Sequence, residues 1–424
     1  MKIKSVLLSA GLGGYYFDDL QAIKDGAKQD GLFYVGKPVT PGFSRIRQPA
    51  ESISVMLVLE DGQVTIGDCI GIQYSGAGGR EPVLLAEKYI PLLEKLVGSS
   101  LVGRDITSFK ELSQFVDSLT SDGQRLHSGI RYGLSQAVLD AVAKTKGITM
   151  AEVIADEYGL TISDGAIPTF QQAGDDRYIG VDKMILKKTP VIPHGLFNSV
   201  EKIGQKGEKL IAYVKWVKER VRKFGEPNYL PDFLILVYGT IGDIFNNDID
   251  KITQYLDILS DSVKPFCLMV GVPMLMKSKE EEIVVLASLK RSLFSNGIDV
   301  EIAANEFCNT LEDVKDFVDR DAVHAIQIKA PVFGGLHNTI EAILYCKKHS
   351  IKPLLGGTCA STDVVARIVA QVALATQPSQ MSGRPGMGVD EAMQIQHNEM
   401  YRTLALIRHR LATKGSVIGK FGAD

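Results

Sequence analysis

Hydrophobic and polar positions divide the chain into two grammars. MKIKSVLLSA at the N-terminus predicts a first strand, and SISVMLVLEDGQVTIGDCIG (52–71) alternates over β-favouring residues with Asp61-Gly62 at the hairpin turn. Helical spacing follows near 82–97 and 108–119. It is clearest in RLHSGIRYGLSQAVLDAVAKTKG (125–147), where Ile130, Leu134, Val138, Leu139 and Val142 share a face and Gly147 suits a C-cap. Strands followed by helices predict a separate α+β lobe. Two glycine-rich stretches, GLGGYYFDD (11–19) and YSGAGGRE (74–81), lack any phosphate-binding fingerprint and predict mobile loops, a lid over the second lobe.

From about residue 165 short apolar runs alternate with amphipathic stretches. The runs are AIPTF (166–170), KMILKK (183–188), FLILVYG (233–239), FCLMV (266–270), VEIAAN (300–305), AIQIK (325–329) and KPLLGG (352–357). Helices such as 207–224 and 279–297 lie between them. The ends of the third to fifth runs, near 236, 271 and 305, are 35 and 34 residues apart, the length of one strand–loop–helix–loop unit. Fully apolar strands in repeated βα units predict a parallel sheet, and seven such units fit an α/β barrel of the (β/α)8 type better than an open sheet. Three segments are expected: an α+β capping domain over 1–160, a barrel over 161–412 and a tail over 413–424.

Composition narrows the classes. The 47 Lys+Arg against 50 Asp+Glu leave a net charge of −3, without the excess of basic residues a nucleic-acid binder uses. No apolar run is long enough to cross a membrane as a helix. Five scattered cysteines with no CxxC pair predict a reduced, cytoplasmic protein with no disulfide framework, and the seven histidines form no HxH or HExxH pattern.

In barrels of this type chemistry sits where strands end. Gln171 and Gln172 close the first run. Gln327 and Lys329 close the sixth and, two apart, point to one side. A lysine facing inward is costly unless paired or functional, and burial would move it towards use as a base. The alternative is a solvated lysine just past the strand. His194, in the Pro/Gly segment VIPHGLFNS, reads on its own as an ordinary loop histidine. Thr358 and Cys359 in GGTC (356–359) could donate to a carboxylate, or simply belong to a tight turn; Cys359 has no base beside it in sequence and is not expected to be a nucleophile. RPGMGVDE (384–391) reads as a structural loop.

Blocks spread over nearly the whole chain, among them GGYYFDDLQAIKDGAKQDG, QYSGAGGREP, PHGLFNSVE, VYGTIGDIF, QIKAPVFGG, GGTC and RPGMGVDE, resemble the methylaspartate ammonia-lyase family of the enolase superfamily. The resemblance implies an α+β cap on a modified TIM barrel, a homodimer, and a carbon–nitrogen lyase that converts threo-3-methylaspartate to mesaconate and ammonia. It implies Lys329 and His194 as the catalytic bases, and Gln172, Gln327, Thr358 and Cys359 as substrate contacts.

The resemblance also implies Mg²⁺ on three acids, one at the end of each of the third, fourth and fifth barrel strands. Here those positions hold Leu236, Gly271 and Asn305, with Val272 where a glycine would follow. A hard cation wants anionic oxygens, so no cofactor is expected. Glu306 is adjacent, but strand alternation would aim it away; Asp232 and Asp243 flank the third strand end as a displaced ligand set. Three functions stay open: a metal-free relative that binds or acts on a small amino acid or dicarboxylate, an ordinary lyase with a replacement metal site, and a non-catalytic pseudoenzyme or regulatory partner.

Overall fold

The computed structural model describes residues 1–174 and 176–414. Eight strands close into a barrel in which every neighbouring pair is parallel. In order they are Thr169–Gln172, Val191–His194, Asp232–Leu236, Leu268–Gly271, Glu301–Ala304, Ala325–Lys329, Lys352–Gly356 and Gln380–Ser382. Six of the seven expected runs form strands. KMILKK does not: it ends the helix Arg177–Leu186, whose buried Val181, Met184 and Ile185 repeat at helical spacing. Its apolar core is three residues long, too short to distinguish the two periods. The second strand is instead VIPH, so His194 ends a strand rather than sitting in a loop. The eighth, QMS, is too short to stand out.

The barrel interior is packed by one inward residue or two from successive strands, including Phe170, Val191, Leu234, Leu236, Met269, Ala303, Ala325 and Leu354. Outer faces of the strands pack against the surrounding helices in a second, larger core. Helix starts are fixed by caps: the Ser278 side chain accepts from Glu281 N, and Thr310 with Asp313 forms a capping box.

The cap is a three-stranded antiparallel sheet ordered Ile3–Asp18, Arg47–Leu59, Val64–Ile70, with the expected hairpin pairing Val58 with Val64. GLGGYYFDD is not a loop. It is the second half of the long first strand, continued to Asp18 across a register shift between Leu12 and Tyr16. Helix Ser128–Lys146 lies on this sheet and ends at Gly147 in the left-handed conformation, as expected. It approaches closely: a Cβ at Gly133 would stand 2.5 Å from Cys69 N and from its Sγ. The expected tail begins inside the last helix, Val389–Lys414, and 415–424 lie outside the described residues.

Because that contact has no room for a side chain, Gly133→Leu should cost about 1–3 kcal/mol or more through overpacking. A thermal melt should show a clearly lower midpoint than for a control such as Gly98→Ala, at a half-buried helix position where an added Cβ meets nothing within 4 Å.

Candidate active site

The C-terminal ends of the barrel strands and one segment of the cap, Ile72 to Tyr74, enclose a small cavity. Gln172, Gln327, Lys329, Thr358 and Cys359 all line it. His194 stands behind Gln172, their Nε2 atoms 3.4 Å apart, and stacks on Phe170. All six residues singled out for chemistry are thus brought together. Gln327 and Lys329 face the same side, as their spacing required.

Lys329 is buried at 7% exposure. Burial pulls its ammonium down to about 7, with Arg80 adding to the fall and Glu306 opposing it. Its Nζ lies 3.6 Å from Glu306 Oε1. Glu306 also pairs with the Arg80 guanidinium, both side chains almost wholly enclosed. Burial pushes the Glu306 carboxyl up, but Arg80 and then Lys329 outweigh it and hold it below the ordinary range. The expectation that Glu306 points away therefore fails. The fifth strand ends at Ala304, and by Phe307 the chain is in the left-handed region (φ 56°), so alternation no longer governs where Glu306 points. Arg80 arrives on the YSGAGGRE loop. Gly78 there has φ 59°, and a Cβ would meet Glu306 Oε2 at 2.5 Å, so only glycine lets the loop close on the carboxylate.

His194 is buried, and its basicity falls to about 3, from burial first and then from Arg384 and Lys329. It is neutral at physiological pH. The Cys359 thiol is pushed up to about 12 by burial, so it is a hydrogen-bond donor and not a nucleophile.

The cap contributes Gln73, which spacing alone did not suggest. Its backbone N–H donates to Thr358 Oγ1 (3.1 Å), and its Oε1 accepts from Cys359 Sγ (3.1 Å). Its Nε2 donates to Asp18 (2.7 Å), which Arg47 grips through two nitrogens at 2.7 and 2.8 Å. Arg47 in turn lies 4.9 to 5.5 Å from the ring centres of Tyr15, Tyr16 and Tyr34. A chain of contacts therefore runs from the aromatic face of the cap to the floor of the cavity. Tyr74, Tyr238 and Arg384 also line the site. Arg384 was hidden in a segment that read as structural, and Arg80 in one that read as a mobile loop. The cue in both is an arginine beside Gly/Pro.

Two models, for the methylaspartate ammonia-lyase N-terminus and C-terminus, match residues 1–159 and 141–409. The chain belongs to the methylaspartate ammonia-lyase family. The methylaspartate ammonia-lyase of Clostridium tetanomorphum is 50% identical over 412 residues, 97% of this chain and 100% of that one. The first such lyase of Carboxydothermus hydrogenoformans is 48% identical over 420 residues, 99% of this chain and all of its own. Among solved structures, the C. tetanomorphum enzyme as a Mg complex superposes with a TM-score of 0.91 at 49% identity, covering 97% of this chain and all of that one. The Citrobacter amalonaticus enzyme containing (2S,3S)-3-methylaspartic acid gives 0.94 at 47%, covering 96% and 100%. A dipeptide epimerase from Enterococcus faecalis, 16% identical with a TM-score of 0.63, shares the enolase-superfamily fold alone.

Against this family background three strand ends stand out. Leu236 belongs to the apolar barrel interior and lines the cavity. Gly271 sits beneath it, and a Cβ there would collide with Leu236 Cδ2. Asn305 is buried with neither side-chain atom hydrogen-bonded. Val272 occupies the left-handed region (φ 53°), where a β-branched residue is an outlier. Asp232 begins the third strand, about 13 Å of extended chain from Leu236 at the other end. Asp243 pairs with Lys24 at 3.6 Å outside the barrel. Neither lines the cavity. Among the described residues no group of three or more His, Cys, Asp or Glu side chains is placed to hold a metal.

The Asp18–Arg47 pair is predicted to govern how firmly Gln73 covers Cys359. In a Cys267→Ser background, which removes the exposed thiol, Asp18→Asn should lower the melting temperature and accelerate alkylation of Cys359. Peptide mapping of the alkylated site checks this; an unchanged rate at Cys359 would contradict it.

Proposed function

We propose that this member of the family binds a small amino acid or dicarboxylate in the barrel mouth without a divalent cation, and that Mg²⁺-supported conversion of threo-3-methylaspartate to mesaconate and ammonia is absent or very weak in it. One observation carries the reading: the third, fourth and fifth strand ends present an alkyl group, no side chain and a neutral amide. That donor set does not fit Mg²⁺, which wants anionic oxygens in near-octahedral order. The carboxylate nearest by, Glu306, is engaged by two cations. In the family chemistry Mg²⁺ stabilises the carboxylate next to the C–H bond that is broken, a contribution of several kcal/mol; each ~1.36 kcal/mol is a factor of ten in rate.

What remains is a pocket suited to recognition and to proton transfer. Lys329, near neutrality in its acid–base balance, is the side chain we assign as base. Neutral His194 is assigned to the opposite face. Gln172, Gln327, Thr358 and Cys359 supply hydrogen bonds to the ligand. A second reading, a non-catalytic binding protein on a lyase scaffold, is favoured by the Glu306 contact, since a lysine held by a buried carboxylate serves as a recognition cation as readily as a base.

Incubation with threo-3-methylaspartate and Mg²⁺, followed by mesaconate absorbance, should show little or no turnover. The triple variant Leu236→Asp, Gly271→Glu, Asn305→Asp should raise it by orders of magnitude. Robust, chelator-sensitive turnover by the unaltered chain would overturn the proposal. If Lys329 acts as a base, exchange of a bound ligand's carbon-bound proton in D₂O should rise with pH to a plateau above about 7, because only the neutral amine accepts a proton. Lys329→Met should abolish that exchange. No exchange at any pH favours the binding protein.

A further inference from the structure

We infer that the barrel mouth holds a single monatomic anion, a halide such as chloride, seated over Gly357 and bound by Arg384 and Ser361. The inference stands whichever organic ligand the mouth takes.

Charge is the first argument. Three cations, Arg80, Lys329 and Arg384, are buried at the mouth, and one carboxylate, Glu306, is buried with them. Arg80 and Lys329 share that carboxylate. Arg384 has none. It forms no ion pair among the described residues, and the one hydrogen bond of its guanidinium runs from Nη1 to the Gly383 carbonyl at 3.4 Å. A buried charge without a counter-charge is costly. A lysine can shed its proton under that cost, but a guanidinium cannot, so an anion from solvent is its best answer.

Geometry says where that anion sits. The Nε of Arg384 is buried and has no acceptor, and the hydroxyl of Ser361, itself buried, is equally without a partner. The two reach the same place from the loops after the eighth and seventh strands. A Cβ on Gly357 would lie 3.9 Å from Arg384 Nε and 3.7 Å from Ser361 Oγ. Chain neighbours aside, no atom would come nearer than 3.7 Å. The glycine thus leaves open ground between two unspent donors. Both Gly357 and Arg384 line the cavity.

Size selects the class of anion. With the cap seated, the cavity measures about 20 Å³, room for one body the size of a water molecule. A carboxylate or phosphate is larger than that. A halide fits and accepts hydrogen bonds from any direction. Water fits too, but leaves the guanidinium charge unpaired.

The probe is bromide. The full chain is exchanged into sodium gluconate, whose anion is too large to enter, and bromide replaces gluconate stepwise at constant ionic strength while thermal melts are recorded. Crystals grown in bromide are measured at its absorption edge. The melting temperature should rise saturably with bromide. Gly357→Ala should fold, because its methyl has the clearance given above, yet it fills the seat and should abolish the rise. Arg384→Met should abolish it as well, and Ser361→Ala should weaken the apparent affinity roughly tenfold, the worth of a hydrogen bond to an ion. General salt effects act on parent and variants alike, so the difference between them is what is read. An anomalous peak over Gly357 supports the assignment. An equal bromide response in the parent and Gly357→Ala overturns it, as do crystals with no peak in the cavity or with peaks on the outer surface alone, an adventitious ion only.

Discussion

One buried carboxylate organises the mouth of this barrel. Glu306 is fully enclosed and stays ionised only because Arg80 from the cap and Lys329 from the sixth strand stand against it. Removing either cation would leave charge uncompensated in a low-dielectric site. The cap loop is therefore held to the barrel by electrostatics as well as packing, and the three groups set one another's properties. The fall in Lys329's basicity follows from burial and from sharing its anion with a stronger cation.

A second line of force runs from the first cap strand. Arg47, ringed by tyrosines, holds Asp18; Asp18 holds Gln73; Gln73 bridges Thr358 and Cys359 on the seventh strand's loop. Cap and barrel thus meet at several polar junctions, of which this chain and the Arg80–Glu306 pair border the cavity. Site geometry depends on residues nearly three hundred positions apart in the chain, and one continuous hydrophobic core joins the two lobes.

Much of this was legible in the sequence, and the failures have physical causes. Short apolar runs repeated at the length of a βα unit pointed to the barrel, and Gln-x-Lys at a strand end pointed to the side that lines the cavity. Short segments deceived: MIL in Arg177–Leu186 satisfies both periods, and QMS is too brief for either. The glycines of GLGGYYFDD suggested a loop, yet a long antiparallel partner overrides that preference. Glu306 was misjudged because alternation is a property of strands and the strand stops two residues earlier. Arg80 and Gln73 could not be found by spacing at all, since their partners lie in the barrel, and Arg384 sits in a Gly/Pro segment with no periodic pattern.

Leu236 and Gly271 make a matched pair, the bulk of one resting in the space left by the other. Acidic residues cannot be introduced at these two positions one at a time without conflict. A glutamate arriving first would strike the leucine; an aspartate arriving first would be stranded in an oily wall beside an existing anion. The two positions are therefore coupled: a side chain at 271 is accommodated only where residue 236 is cut back as well, so a change at one calls for a matching change at the other.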